Sequence, residues 1–212
     1  MKVVVIDYGS GNLRSVVKAL ELAARDIRKI NKILLTNDSG DLSNADYVVL
    51  PGVGSFGDCL AGLKSLAGMR ENLNEFAIDR CRPFLGICVG MHLMGSRGVE
   101  YGEHVGLGWI KGEVTGLIPQ DKELKIPHMG WNNVYVTNKS PIMHGISESD
   151  ELYFVHSYHL ECEAEEIIIG ETDYCYRFVS AIQKDNIYGT QFHPEKSHDS
   201  GLKILKNFLE TV

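Results

Sequence analysis

The fold is decided by residues 83–91, a stretch with the sequence PFLGICVGM. Its apolar first half predicts a buried strand, and the residues that follow predict the start of a helix. Cys88 occupies the sharp turn between them, and a glycine two residues away on either side lets strand and helix approach closely. Such a turn strains its central residue and lifts that side chain above the sheet, beside a helix N-terminus that favours a thiolate. The pattern predicts a nucleophile elbow with cysteine at its apex; a buried cysteine at a strand end is the alternative.

A candidate base and a carboxylate stand near the C-terminus, in the sequence FHPEK. One proline separates His193 from Glu195, and it favours an extended conformation at the histidine. Residues two apart in an extended segment point to the same side, so Glu195 can accept a hydrogen bond from one ring nitrogen of His193. The other nitrogen is then free to take the proton of Cys88. These residues predict a Cys-His-Glu triad, and a surface His-Pro-Glu turn is the alternative.

The composition is that of a globular protein, with 44% hydrophobic and 23% charged residues among 212. We expect a single domain over residues 1–212, since a boundary would separate Cys88 from His193. The net charge of −7 and the lack of Lys/Arg runs argue against nucleic-acid binding. Five cysteines without C-x-x-C spacing indicate neither a disulfide framework nor a zinc knuckle. No apolar run approaches the ~20 residues of a membrane span, and no signal peptide precedes the first strand, so we expect a cytoplasmic protein.

The N-terminal half alternates strands with helices, which is the pattern of a mostly parallel open sheet. Strands are predicted at residues 3–7, 33–36 and 46–50, and the elbow strand comes fourth. After residue 112 the chain becomes a series of short apolar runs separated by turn residues, which predicts antiparallel additions and hairpins. A C-terminal helix is predicted over residues 200–209.

A glycine-rich loop, PGVGSFG at residues 51–57, follows the third predicted strand. Loops at the carboxyl ends of parallel strands lie on the functional edge of an open α/β sheet. Glycine lets such a loop turn bare N–H groups toward an oxygen atom. The loop could cradle a phosphate, although it lacks the Lys-Ser/Thr ending of a P-loop. It could also form half of an oxyanion hole, with the Val89 N–H as the other half, and this fits the cysteine better.

Three motifs together resemble those of class I (triad) glutamine amidotransferases: GICVGM at 86–91, PGVG at 51–54 and HPE at 193–195. The resemblance runs from residue 3 to about residue 209. Other stretches are similar to one branch of the family, the glutaminase subunits of imidazole glycerol phosphate synthases. They are DYGSGNLR at 7–14, PHMGWN at 127–132, VHSY at 155–158 and HPEKS at 193–197. The resemblance implies a flavodoxin-like open sheet, mostly parallel with antiparallel additions and helices on both faces, and no cofactor or metal.

The resemblance implies hydrolysis of glutamine to glutamate and ammonia. Cys88 would attack the carboxamide carbon and form a γ-glutamyl thioester, while His193 moves the protons and Glu195 holds the imidazole tautomer. An oxyanion hole would come from the Val89 N–H and from a reorientable peptide at Gly52 and Val53. We therefore expect low activity until a partner sets that loop.

Other matched positions bind the charged ends of glutamine. Glu100 matches the position that pairs with the substrate ammonium, although by itself it could be a solvated loop carboxylate. Gly54, Ser157 and Tyr158 match positions at the α-carboxylate end, although the last two could simply alternate along a strand.

At position 92 the chain departs from the family pattern, because His92 stands where a substrate-contacting glutamine is usual. Histidine can still donate a hydrogen bond, but it is shorter and it can titrate. The departure bears on glutamine affinity and its pH dependence, and leaves the triad untouched.

The chain has no eightfold strand–helix repeat of its own that could use the ammonia. The resemblance implies a separate cyclase subunit, a (β/α)₈ barrel that docks over the glutaminase mouth as a heterodimer. Matched docking positions are Asn12, Met129, Trp131 and Lys196. Trp and Met are common interface anchors, although Trp131 could equally lie in the core and Lys196 could be a free surface lysine.

Four other interpretations stay open. A glutaminase of a related synthase pathway would use the same triad. A cysteine hydrolase or protease of the same α/β fold would need no partner. A scaffold would bind the barrel or another synthase without hydrolysing glutamine, and His92 favours it. A zinc site from His156, His159 and Cys162 would need side chains from opposite faces of a strand.

Overall fold

The structure, a computed structural model, describes residues 1–119 and 124–212. The strands are β1 (Lys2–Ile6), β2 (Lys32–Thr36), β3 (Tyr47–Gly52), β4 (Phe84–Cys88), β5 (Gly95–Gly98), β6 (His104–Val105), β7 (Ile110–Gly116), β8 (His128–Asn133), β9 (Tyr135–Val136), β10 (Glu151–His156), β11 (Tyr158–Cys162), β12 (Ile168–Asp173), β13 (Arg177–Lys184) and β14 (Ile187–Thr190). The α-helices are α1 (Leu13–Ala23), α2 (Phe56–Ser65), α3 (Met69–Asn74), α4 (Val89–His92) and α5 (His198–Leu209). The short 3₁₀ segments are Ser39–Leu42, Pro141–Met143, Glu165–Ile167 and Pro194–Lys196, and Glu75–Asp79 is π-helical.

The central sheet has eight strands in the order β2-β1-β3-β4-β14-β13-β12-β9. The first five are parallel to one another, and β13, β12 and β9 extend the sheet with antiparallel pairings. Helices flank both faces of this open α/β sheet. The fold is the flavodoxin-like arrangement with antiparallel additions that the sequence predicts.

The central strands are buried on both faces, which explains their continuous β-branched sequences. Val3, Val4 and Val5 of β1 have no exposed surface. Helices α1 and α5 pack against each other, and Phe208 of α5 contacts the rings of Tyr47 in β3 and Tyr188 in β14. This aromatic contact joins the C-terminal helix to the middle of the sheet.

Two predicted elements are divided in the structure. In the sequence, Leu60, Leu63, Leu66, Leu73 and Phe76 predict helical turns after the glycine-rich loop. The structure divides this stretch, because Gly68 adopts a left-handed φ of 69° between α2 and α3. One of the short apolar runs after residue 112, residues 152–160, predicts a single strand, but the structure does not form it as one. It breaks at Ser157, whose carbonyl accepts a hydrogen bond from Leu117, so that β10 pairs with β8 whereas β11 pairs with β7 in a second small sheet. The break places residue 157 at a corner between the two small sheets.

Strand β14 lies beside β4 and runs parallel to it, with Thr190 opposite Ile87. The carboxyl ends of both strands therefore reach the same edge of the sheet. The residues that follow them, about a hundred positions apart in the sequence, become neighbours there. No helix in the described part of the chain is long and apolar enough to cross a membrane.

Candidate active site

The predicted elbow is present at the end of β4. Cys88 has a φ of 53° and a ψ of −113°, a conformation that is strained for a residue with a Cβ atom. The two glycines around it have no room for side chains: a Cβ on Gly86 would lie 2.6 Å from the Gly90 carbonyl oxygen, and one on Gly90 would lie 1.8 Å from that of Leu50. The glycines thus allow β3, β4 and α4 to meet at the cysteine.

His193 and Glu195 lie against this elbow, in the segment that follows β14. Nδ1 of His193 donates a hydrogen bond to Oε1 of Glu195 at 2.8 Å, and both side chains are almost completely buried. The expectation of an extended segment is only half right. His193 is extended, but Pro194–Lys196 forms a 3₁₀ turn closed by the Lys196 N–H on the His193 carbonyl. The turn, rather than strand alternation, brings the carboxylate back to the ring.

The other ring nitrogen, Nε2 of His193, is buried and has no hydrogen-bond partner of good geometry among the described residues. Burial by itself lowers the pKa of a histidine. Here the charges of the Cys88 thiolate and the Glu195 carboxylate outweigh burial and raise the pKa of His193 to about 10. The ring is therefore positioned to hold a proton between a sulfur and a carboxylate, and the three residues of the predicted triad are together.

A cavity of about 240 Å³ opens beside the cysteine. Its lining includes every residue predicted to bind glutamine, together with Val53 and Val89 from the predicted oxyanion hole. The lining residues are Val53, Gly54, Cys88, Val89, His92, Glu100, Pro127, Val155, His156, Ser157 and Tyr158. Gly52, the last residue of β3 and the residue opposite Cys88, is not part of the lining. A larger surface depression of about 620 Å³ beside Pro141–Met143 and α5 contains none of the predicted site residues.

Glu100 reaches the cavity from the loop that follows β5. Its Oε2 accepts a hydrogen bond from the Phe56 N–H at 2.6 Å, at the start of α2. Burial raises the pKa of Glu100 above its usual value, although the hydrogen bond acts in the opposite direction. A half-buried carboxylate with one oxygen engaged can present the other oxygen to a cation in the cavity.

The glycine-rich loop is held by side chains from the loop after β1. The Val53 N–H donates to Oγ of Ser10 at 3.2 Å, and the Ser10 hydroxyl donates to the Val53 carbonyl. The Tyr8 hydroxyl donates to the Pro51 carbonyl at 2.7 Å. The Val53 N–H that the sequence assigns to an oxyanion hole is therefore engaged elsewhere in this conformation. Sequence reasoning missed Ser10 and Tyr8, although both lie in the DYGSGNLR stretch.

His92 lines the cavity, but its Nε2 lies 2.7 Å from Oε1 of Gln191. Nε2 of Gln191 in turn donates to Sγ of Cys88 at 3.7 Å. Burial lowers the pKa of His92 to about 4, so the ring is neutral near pH 7 rather than titrating there. Gln191 was not among the predicted site residues, because nothing in its spacing marks it as a neighbour of the cysteine.

The four predicted docking residues lie on β8, in the Pro194–Lys196 turn and at the start of α1. Met129 and Trp131 are 62% and 42% exposed on β8, and Trp131 stacks on the ring of His198. Nζ of Lys196 lies 5.4 Å from the centre of the Tyr153 ring, which also contacts Trp131.

Asn12 is exposed at the start of α1, whose next turn shares a surface depression with Lys196. Trp131, with 42% of its surface exposed, is a surface residue rather than part of the core. The structure places all four docking candidates on surface segments of the protein.

The structure does not form the zinc site considered for His156, His159 and Cys162. In the described residues, no group of three or more His, Cys, Asp or Glu side chains could hold a metal ion. Nδ1 of His156 instead contacts the Tyr158 carbonyl at 2.9 Å, and its Nε2 contacts Nδ1 of His128 at 3.0 Å.

The class-I glutamine amidotransferase family matches residues 4–212, and the chain belongs to this family. It is therefore an enzyme of the glutamine amidotransferase type. Solved structures agree on the fold. A glutamine amidotransferase superposes with a TM-score of 0.70 at 14% identity, covering 97% of this chain and 98% of that one. Another, from Thermotoga maritima, superposes with a TM-score of 0.68 at 16% identity, covering 99% and 96%.

Curated relatives extend over almost the whole chain. The imidazole glycerol phosphate synthase subunit HisH of Rhodospirillum rubrum is 50% identical over 210 residues, covering 99% of this chain and 98% of the relative. The protein of the same name from Brucella suis is 48% identical over 213 residues, covering 99% of each.

Proposed function

We propose that this chain is the glutaminase subunit of an imidazole glycerol phosphate synthase, acting as one domain in the cytoplasm and serving histidine biosynthesis. The observation that carries the proposal is the position of His193, with one ring nitrogen on Glu195 and its pKa raised by the thiolate of Cys88. A thiolate paired with an imidazolium is the resting state of an activated cysteine nucleophile.

The reaction follows from these residues. The Cys88 sulfur attacks the carboxamide carbon of glutamine, and the carbonyl oxygen becomes an oxyanion. His193 then gives its proton to the departing nitrogen, which leaves as ammonia, and a γ-glutamyl thioester remains. Water, deprotonated by His193, attacks the thioester and releases glutamate while the sulfur returns to its starting state. Glu195 stabilises the imidazolium and keeps Nδ1 protonated throughout.

The cavity provides the remaining contacts. The Val89 N–H and a reoriented Gly52–Val53 peptide bind the oxyanion; removing one such donor typically costs about a hundredfold or more in rate. The free oxygen of Glu100 binds the substrate ammonium, and Gly54, Ser157 and Tyr158 surround the α-carboxylate. The contact between Val53 and Ser10 supports a resting state of low activity.

The ammonia passes to a cyclase subunit of the (β/α)₈ type, which docks over Asn12, Met129, Trp131 and Lys196. An exposed tryptophan and methionine side by side are the composition expected of such a surface. The cyclase would use the ammonia on a phosphoribulosyl-formimino-aminoimidazole carboxamide ribonucleotide and would release imidazole glycerol phosphate and the aminoimidazole carboxamide ribonucleotide.

The test is glutamate release by the purified chain, alone and with a cyclase subunit. We expect strong activation by the cyclase and loss of turnover in Cys88→Ala. A chloroketone analogue of glutamine should label Cys88 and spare Cys81, the exposed free cysteine. Labelling of Cys81 in preference to Cys88 contradicts the proposal, because the reactivity of the thiols would then follow their exposure and not activation by His193.

The same assay separates the alternatives. Partner-independent cleavage of peptides indicates a cysteine hydrolase, and cyclase binding without turnover indicates a scaffold. The chain could instead be activated by the ammonia-accepting subunit of another synthase and not by the imidazole glycerol phosphate cyclase. That result indicates a related pathway.

A further inference from the structure

Gln191 follows β14 directly and is completely buried beside the elbow. Its amide has contacts at both ends: Nε2 lies 3.7 Å from Sγ of Cys88, and Oε1 lies 2.7 Å from Nε2 of His92. Its main-chain N–H donates to the Ser180 carbonyl at 2.8 Å, which fixes the residue against β13. We infer that Gln191 donates a hydrogen bond to the thiolate of Cys88, and that His92 is a positioning residue that fixes the orientation of the Gln191 amide. The inference rests on the proposed function, because Cys88 is its nucleophile.

The amide has one donor end and one acceptor end, so its orientation matters to the sulfur. With the N–H₂ group toward Cys88, it stabilises negative charge; with the oxygen there, it repels that charge. A neutral histidine carries one ring proton, and burial keeps His92 neutral at pH 7. When that proton is on Nε2, His92 donates to Oε1 of Gln191 and directs the N–H₂ group to the sulfur. The opposite tautomer would accept from the N–H₂ group and turn the oxygen to the sulfur.

The thiolate therefore has two partners with different roles. His193 supplies the positive charge and the proton, whereas Gln191 supplies a neutral donor that stays in place when the proton moves. Burial raises the pKa of Tyr8 and of Cys59, so both groups are neutral at pH 7 and add no charge near the elbow. The departure at position 92 then has a role: the histidine commits Nε2 to Gln191 rather than to the substrate.

The test is the rate of Cys88 alkylation by iodoacetamide as a function of pH, measured on the full chain by mass spectrometry. A hydrogen bond to a charged group is lost in Gln191→Leu, so we expect the midpoint of the alkylation profile to rise by about one pH unit or more, with about tenfold slower alkylation at pH values below both midpoints. A purely structural role would not produce this shift. Gln191→Asn, which keeps the amide but withdraws it by one methylene, should give the same shift if the leucine variant fails to fold.

His92 is tested through a double-mutant cycle. His92→Phe should slow alkylation less than Gln191→Leu does, and its effect should vanish in the Gln191→Leu background, because His92 acts through the amide. Thr190→Val is the matched control. Thr190 is buried next to Gln191, and its hydroxyl has no hydrogen-bond partner in the part of the chain that the structure describes. It should leave the alkylation profile unchanged.

An unchanged profile in both Gln191 variants overturns the inference, and a His92→Phe effect that persists without Gln191 overturns the positioning role. Alkylation needs neither glutamine nor the cyclase. A wild-type chain that fails to hydrolyse glutamine therefore contradicts the proposed function while the Gln191 result stands on its own.

Discussion

The main-chain N–H of Val53 donates to the Ser10 hydroxyl across 3.2 Å, and that hydroxyl donates back to the Val53 carbonyl. One side chain thus holds both polar groups of the residue whose N–H is proposed to bind the oxyanion. The N–H cannot turn to the substrate until these contacts break, so the Ser10–Val53 pair favours the resting conformation of the loop.

Ser10→Ala should raise the basal glutaminase activity of the isolated chain. A typical hydrogen bond contributes about 0.5–1.5 kcal/mol, so its loss should raise the population of the reoriented loop, and the rate, by about two- to tenfold. The measurement is glutamate release without cyclase. Ser43→Ala is a suitable control, because the Ser43 hydroxyl donates to a main-chain carbonyl far from the loop. Unchanged or lower activity in Ser10→Ala contradicts this role.

Glu100→Gln should raise KM for glutamine by about tenfold or more with a smaller change in kcat, because it removes a charged hydrogen bond made in ground and transition states alike. Burial raises the pKa of Glu100, so its carboxylate is protonated at higher pH than an ordinary glutamate as the pH falls. KM of the wild type should therefore rise on acidification, and Glu100→Gln should lack that rise.

Glu103→Gln is the matched control for this measurement, since its exposed carboxylate lies in the same loop and faces Arg97 at 3.9 Å. It should keep the wild-type KM and its pH dependence. Equal effects from Glu100→Gln and Glu103→Gln would mean that Glu100 has no specific contact with the substrate.

Trp131→Ala should weaken binding of the cyclase by about tenfold or more, because exposed aromatic anchors dominate interface energies. The fold should survive, since the indole is 42% exposed and stacks on His198 rather than on the core. Titration by calorimetry measures the affinity, and Val105→Ala, at an exposed apolar residue on β6, serves as the comparison. Wild-type affinity in Trp131→Ala would place the interface elsewhere.

The buried histidines should make the protein sensitive to acid. Burial lowers the pKa of His92 and His128 to about 4 each, and it also lowers the pKa of His156 and His159. In the unfolded chain histidine takes up a proton near pH 6.5, so stability should fall as the pH drops from about 6.5 to about 4. Each group adds a slope of up to about 1.4 kcal/mol per pH unit in that window.

Urea unfolding at a series of pH values from 7 to 4.5 measures that slope. His92→Gln removes one titrating group. It should reduce the slope of unfolding free energy against pH by up to about 1.4 kcal/mol per pH unit, the amount that one proton contributes. Curves at pH 8, where His92 is neutral in both the folded and the unfolded state, provide the reference for the direct cost of the substitution. The same slope in variant and wild type would mean that His92 is not buried as a neutral ring. The effect of His193 on stability has the opposite pH dependence. Its raised pKa contributes stability below about pH 6.5, and this contribution is lost as the pH rises toward 10.

Local patterns in the sequence were sufficient for the elbow and for the sheet around it. The glycines at 86 and 90 are needed because strand and helix backbones touch there, and such a need is visible in a short stretch of sequence. The pairing of His193 with Glu195 was also predictable, since two residues separated by a proline stay close in either an extended or a 3₁₀ conformation. Its actual geometry, a turn, depends on contacts with β10 that no local pattern records.

By itself, the sequence predicted the order of the main strands and helices and the three residues that we propose as nucleophile, base and supporting carboxylate. Only the tertiary structure decided that Ser10 holds Val53, that the chain breaks at Ser157 between two sheets, and that His92 contacts Gln191. Those contacts join residues from about 40 to about 100 positions apart. They depend on which strands become neighbours and on how the buried side chains pack between them. Neither can be determined from the spacing of residues along the sequence.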